Sequence, residues 1–285
     1  MNELLESIKY NNKEFPEQEL KYIIEHRENF IPEFLKILKN AKENYEEILE
    51  DEEYFIHIYA LYLLAEFKEK KAFSLIIDLF SLPGEILYQM FGEFITGDLC
   101  RIMASVCGDD IDSIKKFIEN NNIDVYMRIA GINTFVVLLA EGMISRDEVV
   151  KYYKSLFQGK LEREHSEIWS GLINACCDIH PEEFYEDIKK LYEDDLVEDM
   201  YICLEDVEDV MKFNKEHVVS DLKNQSYHTF ITDTISELKS WASFERKDII
   251  PLDRVKYKEK SKRDNKKKKN KKKQAKASKK KQRKK

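Results

Sequence analysis

Few residues in this sequence are spaced for chemistry, and those that are fall into three groups. The first is the stretch Ala-Cys-Cys-Asp-Ile-His, which brings Cys176, Cys177 and His180 together. Thiolate and imidazole are zinc ligands, but a structural zinc takes four of them, usually as Cys-x-x-Cys or His-x-x-x-His pairs. Adjacent cysteines point to different parts of a helix, and no second ligand pair is apparent in the sequence. The expectation is therefore buried thiols behaving as small hydrophobes, and no metal. The second group is His57, in Phe-Ile-His-Ile-Tyr-Ala-Leu, with the acid pairs Asp109–Asp110 and Asp194–Asp195. Histidine titrates near neutrality and is the usual general base, yet a lone histidine in an apolar segment is expected to be a satisfied core group. The acid pairs fall at helix junctions, where an aspartate satisfies free N–H groups and complements the helix dipole. No Gly-rich phosphate loop, Gly-x-Ser-x-Gly elbow or His-Glu-x-x-His motif is present. No catalytic residue, metal ligand or cofactor follows from the sequence, and an enzyme with an unrecognised site remains the third reading.

The third group is the one that asks for a partner. Residues 254–285 hold 20 of the 47 basic residues and only 2 of the 55 acids, so they carry +18 while residues 1–253 carry −26. The candidate polyanion-binding residues are Lys266, Lys267, Lys268, Lys269, Lys271, Lys272, Lys273, Lys276, Lys279, Lys280, Lys281, Arg283, Lys284 and Lys285. Such a segment neutralises phosphates and releases counterions, so RNA or the ribosome is a possible partner, with affinity that falls steeply in salt. No aromatic residue follows Tyr257, which argues against base stacking and sequence reading. Shielding of the acidic body is the competing reading. An anionic membrane surface comes third, because nothing amphipathic or lipidated supports it.

The elements that position these residues are written in the spacing of apolar side chains. Phe73, Ile76, Ile77 and Phe80 recur at helical intervals, as do Ile111, Ile114, Phe117 and Ile118; Val149, Val150, Tyr153, Leu156 and Phe157; and Phe184, Tyr185, Ile188, Leu191 and Tyr192. Each predicts a helix with one apolar face. Between them lie segments apolar nearly all round, Tyr54 to Ala65 and Ile129 to Ala140, which must be covered on more than one side. The two kinds alternate. Ala65, Ala104, Ala140 and Ala175 mark the register at steps of 39, 36 and 35 residues, a period that suits stacked helix pairs of the HEAT or armadillo type. An earlier pair is expected over Glu17 to Lys42. Pro16, Pro32 and Pro181 are expected at helix starts, and Pro83-Gly84 should break the chain between pairs. Gly131 and Gly171, inside buried helices, are expected where helices approach closely. A capping helix or two is expected around Leu204–Phe213. A last helix near Phe230–Phe244 is expected to plug the end of the stack with Trp241 and Phe244.

Composition agrees. Only 8 Gly and 5 Pro occur in 285 residues, too few for a turn-rich sheet protein. Five cysteines without framework spacing predict reduced thiols. No run approaches the ~18 apolar residues of a membrane span, and the amino end has no signal-like core, so a soluble cytoplasmic protein is expected.

Several stretches carry a family likeness: HIYALYLLAEFKEKKAF (57–73), SLPGE (81–85), TGDLCRIMASV (96–106), the segment around Trp169, LVEDMYICLEDVED (196–209) and ITDTISELKSWASF (231–244). Across residues 1–245 the chain resembles a bacterial family known as domain of unknown function 1186, whose members look like HEAT-type helical arrays. The resemblance implies that fold and carries over no activity, cofactor or catalytic residue. Many members end in a short cysteine-rich zinc motif similar to that of a protein-export motor. Here no Cys or His lies beyond Trp241, so no zinc-binding tail is expected, and the lysines take that position. The expectation is an all-α, HEAT/armadillo-like α-solenoid of about five helix pairs over residues 1–250, followed by a disordered Lys-rich tail over 251–285. Its expected role is a non-catalytic interaction module binding a protein or peptide partner.

Overall fold

The computed structural model describes residues 1–92, 95–198 and 200–244. The expected tail and its candidate lysines lie outside the described residues. Among the described residues all regular structure is helical, and the one β-contact is an isolated bridge between Tyr10 and Tyr54. In chain order the α-helices are α1 (Asn2–Ser7), α2 (Glu17–Glu25), α3 (Arg27–Glu43), α4 (Tyr45–Leu49), α5 (Ile56–Glu66), α6 (Ala72–Leu79), α7 (Gly84–Phe91), α8 (Ile95–Val106), α9 (Ile111–Glu119), α10 (Val125–Ala140), α11 (Arg146–Ser155), α12 (Glu167–Asp178), α13 (Tyr185–Glu193), α14 (Leu204–Val210), α15 (Lys215–Asp221) and α16 (Thr234–Lys239). Met1–Trp241 forms one compact unit. A second unit begins at Ala242, and its described part is a short 3-10 turn, Ala242–Phe244.

Local signals explain most starts and stops. Asp110 caps α9 by accepting from the Ser113 N–H, Asp124 caps α10 through the Tyr126 N–H, and Ser145 and Glu148 form a reciprocal capping box on α11. Each cap satisfies donors that the first turn leaves open. Asp194 and Asp195 are different from the expectation: they follow the end of α13, where Asp195 adopts φ +56°, and they start no helix. Pro32 also departs from it. The helix begins at Arg27 and runs through Pro32. A proline there removes one internal hydrogen bond, and the buried stripe Phe30, Phe34, Leu38 and Ala41 holds the helix regardless. Pro83-Gly84 opens α7, an eight-residue helix that buries Leu87, Met90 and Phe91.

The core is built on four helices. In α5 every residue from Ile56 to Ala65 is buried, as are most residues of α8, α10 and α12. They touch in chain order: α3 packs on α5, α5 on α8, α8 on α10, α10 on α12, and α12 on α14. The one-faced helices flank this row, α6 against α3, α8 and α9, and α9 and α11 against α10. Fully burying one large aliphatic side chain contributes about 1.5–3 kcal/mol, so the row dominates stability. Gly131 and Gly171 lie where the spacing leaves no room. A Cβ on Gly131 would come within 2.8 Å of Ile118, and one on Gly171 within 2.6 Å of Ile129.

Candidate interaction face

The residues singled out for chemistry do not converge. Cys176 is buried in α12, and burial first, then nearby thiol and carboxylate charge, pushes its pKa well up. Burial and Asp178 push the Cys177 thiol up to about 12. Neither is a ready thiolate at neutral pH. His180 takes φ +72° just after α12 and places Nε2 3.2 Å from the Phe213 carbonyl, the left-handed position that commonly ends a helix. Among the described residues no three His, Cys, Asp or Glu side chains are grouped to hold a metal ion. His57 is buried, with Nε2 2.9 Å from the Met90 carbonyl, while Glu85 sits in the first turn of α7. Burial drives the His57 imidazole down to about 4, the Met90 bond opposing it only in part. It is a neutral core group at pH 7.

The side chains that do converge belong to a region the sequence reading treats differently. After α15 the chain makes two 3-10 turns, Leu222–Asn224 and Ser226–His228, runs through 229–233 without regular structure, and enters α16. This strap does not plug one end. It travels back along the row, meeting the helices in reverse chain order. His228 Nε2 lies 3.4 Å from Asp178 at the end of α12. The Phe230 N–H donates to Glu141, just past α10, at 2.9 Å. The Ile231 N–H donates to Ser105 Oγ of α8 at 3.0 Å, and the Thr234 N–H to Glu66 of α5 at 2.8 Å. Lys239 reaches Glu17 at the start of α2, and Trp241 packs edge-on against Phe55 and Tyr62. Trp241 therefore covers α5, in the interior of the series.

Arg101 is the centre of this face. It lies on α8 and is 5% exposed. Its Nε donates to the Thr229 carbonyl at 2.9 Å, Nη1 to Asp98 at 3.1 Å and to Glu237 at 3.0 Å, and Nη2 to the other Glu237 oxygen. Burial alone would lower its pKa, but the Glu237 and Asp98 carboxylates outweigh burial and raise it. Tyr62 donates to the second Asp98 oxygen at 2.5 Å, and burial together with that carboxylate raises the phenol. The arrangement grips a backbone: three successive helices supply acceptors to strap N–H groups, and a guanidinium takes a strap carbonyl and carboxylate. Such charge-assisted, bidentate contacts fix register as well as position. Sequence patterning gives no sign of it, because Arg101 and Glu237 stand 136 residues apart. An arginine in an otherwise buried helical stretch is the one available signal.

No described helix is long and apolar enough to cross a membrane. The sequence model of a family described as "Protein of unknown function (DUF1186)" matches residues 1–245. An uncharacterized protein of Chlamydia trachomatis serovar D is 34% identical over 242 residues, covering 85% of this chain and 95% of the relative. An uncharacterized protein of Chlamydia muridarum is 34% identical over the same length, covering 85% and 96%. No solved structure matches.

Proposed function

We propose that this chain, which belongs to the DUF1186 family, is a non-catalytic interaction module: a HEAT-like α-solenoid whose helix ends hold a protein or peptide partner. One observation carries the reading. The strap lies across α12, α10, α8, α5 and α2, with its main-chain N–H groups accepted by Glu141, Ser105 and Glu66 and its Thr229 carbonyl held by Arg101. A face that binds one length of backbone through side chains of successive helices has the chemistry to bind another. Stacked helices offer such extended surfaces in general. The test is capture from a bacterial lysate by the full chain and by residues 1–245, each captured protein then mapped by cross-linking. A partner retained by both forms and cross-linked near the helix ends supports the reading. Turnover of a small molecule with no retained partner contradicts it.

A second reading rests on the +18 charge of residues 254–285: the lysines anchor the same body to RNA or the ribosome. It requires retention of RNA or ribosomes by the full chain alone and its loss at high salt. Equal retention by residues 1–245 would sink it.

A further inference from the structure

We propose that the groove between α9, α10 and α11 is a second binding site, specific for an acidic peptide segment that carries an aromatic or aliphatic side chain. The proposal rests on the interaction-module reading and names the partner's chemistry. The groove encloses about 460 Å³, within the size range of ligand sites. Its apolar wall is Phe135 and Tyr152, both buried and stacked with ring centroids 4.7 Å apart, extended by Ile111 and Ile144. Its rim is cationic. The Lys115 and Lys160 ammoniums stand 5.7 and 5.5 Å from the centroid of the Tyr152 ring, and the exposed Lys151 lines the same groove.

Charge selects the occupant. Residues 1–253 carry −26, yet two lysines meet here over one aromatic ring and a third lines the same groove. Glu148, the carboxylate in the lining, is already tied to Ser145 by two hydrogen bonds of 2.9 and 2.7 Å. Lys115 has a partner in Asp112 and Lys160 in Glu119, at 3.0 and 2.8 Å. Such partly exposed pairs contribute about 0–1 kcal/mol each, so an incoming carboxylate can replace them. The geometry disfavours a single phosphate. Asp110 and Ser145 already take one first-turn N–H each at the starts of α9 and α11. Ammoniums at separate points of a rim suit carboxylates spread along a peptide, with an apolar side chain seated on Phe135 and Tyr152.

The probe is a fluorescein-labelled peptide with a Phe-Leu pair flanked on both sides by aspartates, titrated into the full chain at low salt and followed by anisotropy. The controls are the same peptide with asparagines and a labelled oligouridylate. Binding of the acidic probe is expected to weaken about tenfold in the double variant Lys151→Glu, Lys160→Glu, and similarly for the asparagine peptide. Ile144→Trp, which fills the groove from its rim without changing its charge, should weaken it equally. All variants keep residues 254–285, so a probe held by those lysines would bind each variant alike and overturn the proposal. So would no binding to the unmodified chain, equal binding of the neutral peptide, or a groove-dependent loss confined to oligouridylate. If the acidic probe fails to bind while the lysate partner is still retained, the groove proposal fails and the module reading stands.

Discussion

The buried row and the strap that crosses it are held by different physics. Along α5, α8, α10 and α12 most buried side chains are apolar, and the polar ones are few: among them, His57 bonds the Met90 carbonyl, Tyr62 bonds Asp98, and Arg128 bonds the Ile118 carbonyl and Glu162. Over 225–241 the anchors are polar: N–H groups on Glu141, Ser105 and Glu66, and the Arg101 cluster, with Phe230, Ile231, Leu238 and Trp241 as apolar contacts. Gln225 Oε1, His228 Nδ1 and Thr234 Oγ1 are buried there without a protein partner, against His57 Nδ1 of α5 and Ser170 Oγ of α12 in the longer row. Each such atom costs about 1–3 kcal/mol. The row should therefore unfold last and the strap first, as a separate cooperative layer. An interaction surface needs that division: a rigid scaffold beneath, and a covering that can yield.

Five changes break or sharpen the contrast. The largest effect is expected from Leu138→Asp, which puts a charge on a fully buried position of α10. A loss of at least about 4 kcal/mol should appear as a lowered Tm or failure to fold, and an unchanged Tm would refute a row covered on two sides. Arg101→Met comes next. It removes the cation shared by Asp98, Glu237 and Thr229 and should cost about 2–3 kcal/mol. Its signature is local: faster hydrogen exchange over 226–241 with α10 protection preserved at low denaturant.

His57→Phe tests pH. The folded imidazole titrates at about 4 and an unfolded one at about 6.5. The unfolded state thus binds the extra proton first, and His57 draws stability down as pH falls from about 6.5 to 4, by on the order of 2–3 kcal/mol. His57→Phe should flatten that part of a Tm-against-pH curve, and an identical slope would contradict a neutral core histidine. Glu183→Gln should act lower still. Its hydrogen bond to Arg146 holds Glu183 down at about 2, so this pair's contribution is complete above about 4.5 and lost between there and about 2. The smallest effect is expected from ending the chain after Asp253, with helicity and Tm both nearly unchanged; a cooperative loss of fold would count against the row as self-sufficient.

Much of the row was legible in the sequence. All-round greasy segments became α5 and α10, the alternation of helix types became the inner row and its flanks, and Gly131 and Gly171 do mark close approaches. Asp110 capped α9 as its position suggested. What stayed hidden has a common cause, distance along the chain. No period links Arg101 to Glu237 or Glu66 to Thr234, so the strap read as an end cap when it is a return path. The lysine groove was hidden similarly, since no period links Lys115 of α9 to Lys160 beyond α11, and only packing brings both to the Tyr152 ring. The helix α7 was missed because Pro83-Gly84 reads as a break between pairs, whereas it opens a helix.

Native-state hydrogen exchange on the full chain is the most direct measure of the division between scaffold and covering. Amides of 229–239 should open together, at a free energy well below that of α8 and α10, and Arg101→Met should lower the first value alone. Equal opening energies for strap and row, falling together in the variant, would mean one indivisible layer and would contradict the account.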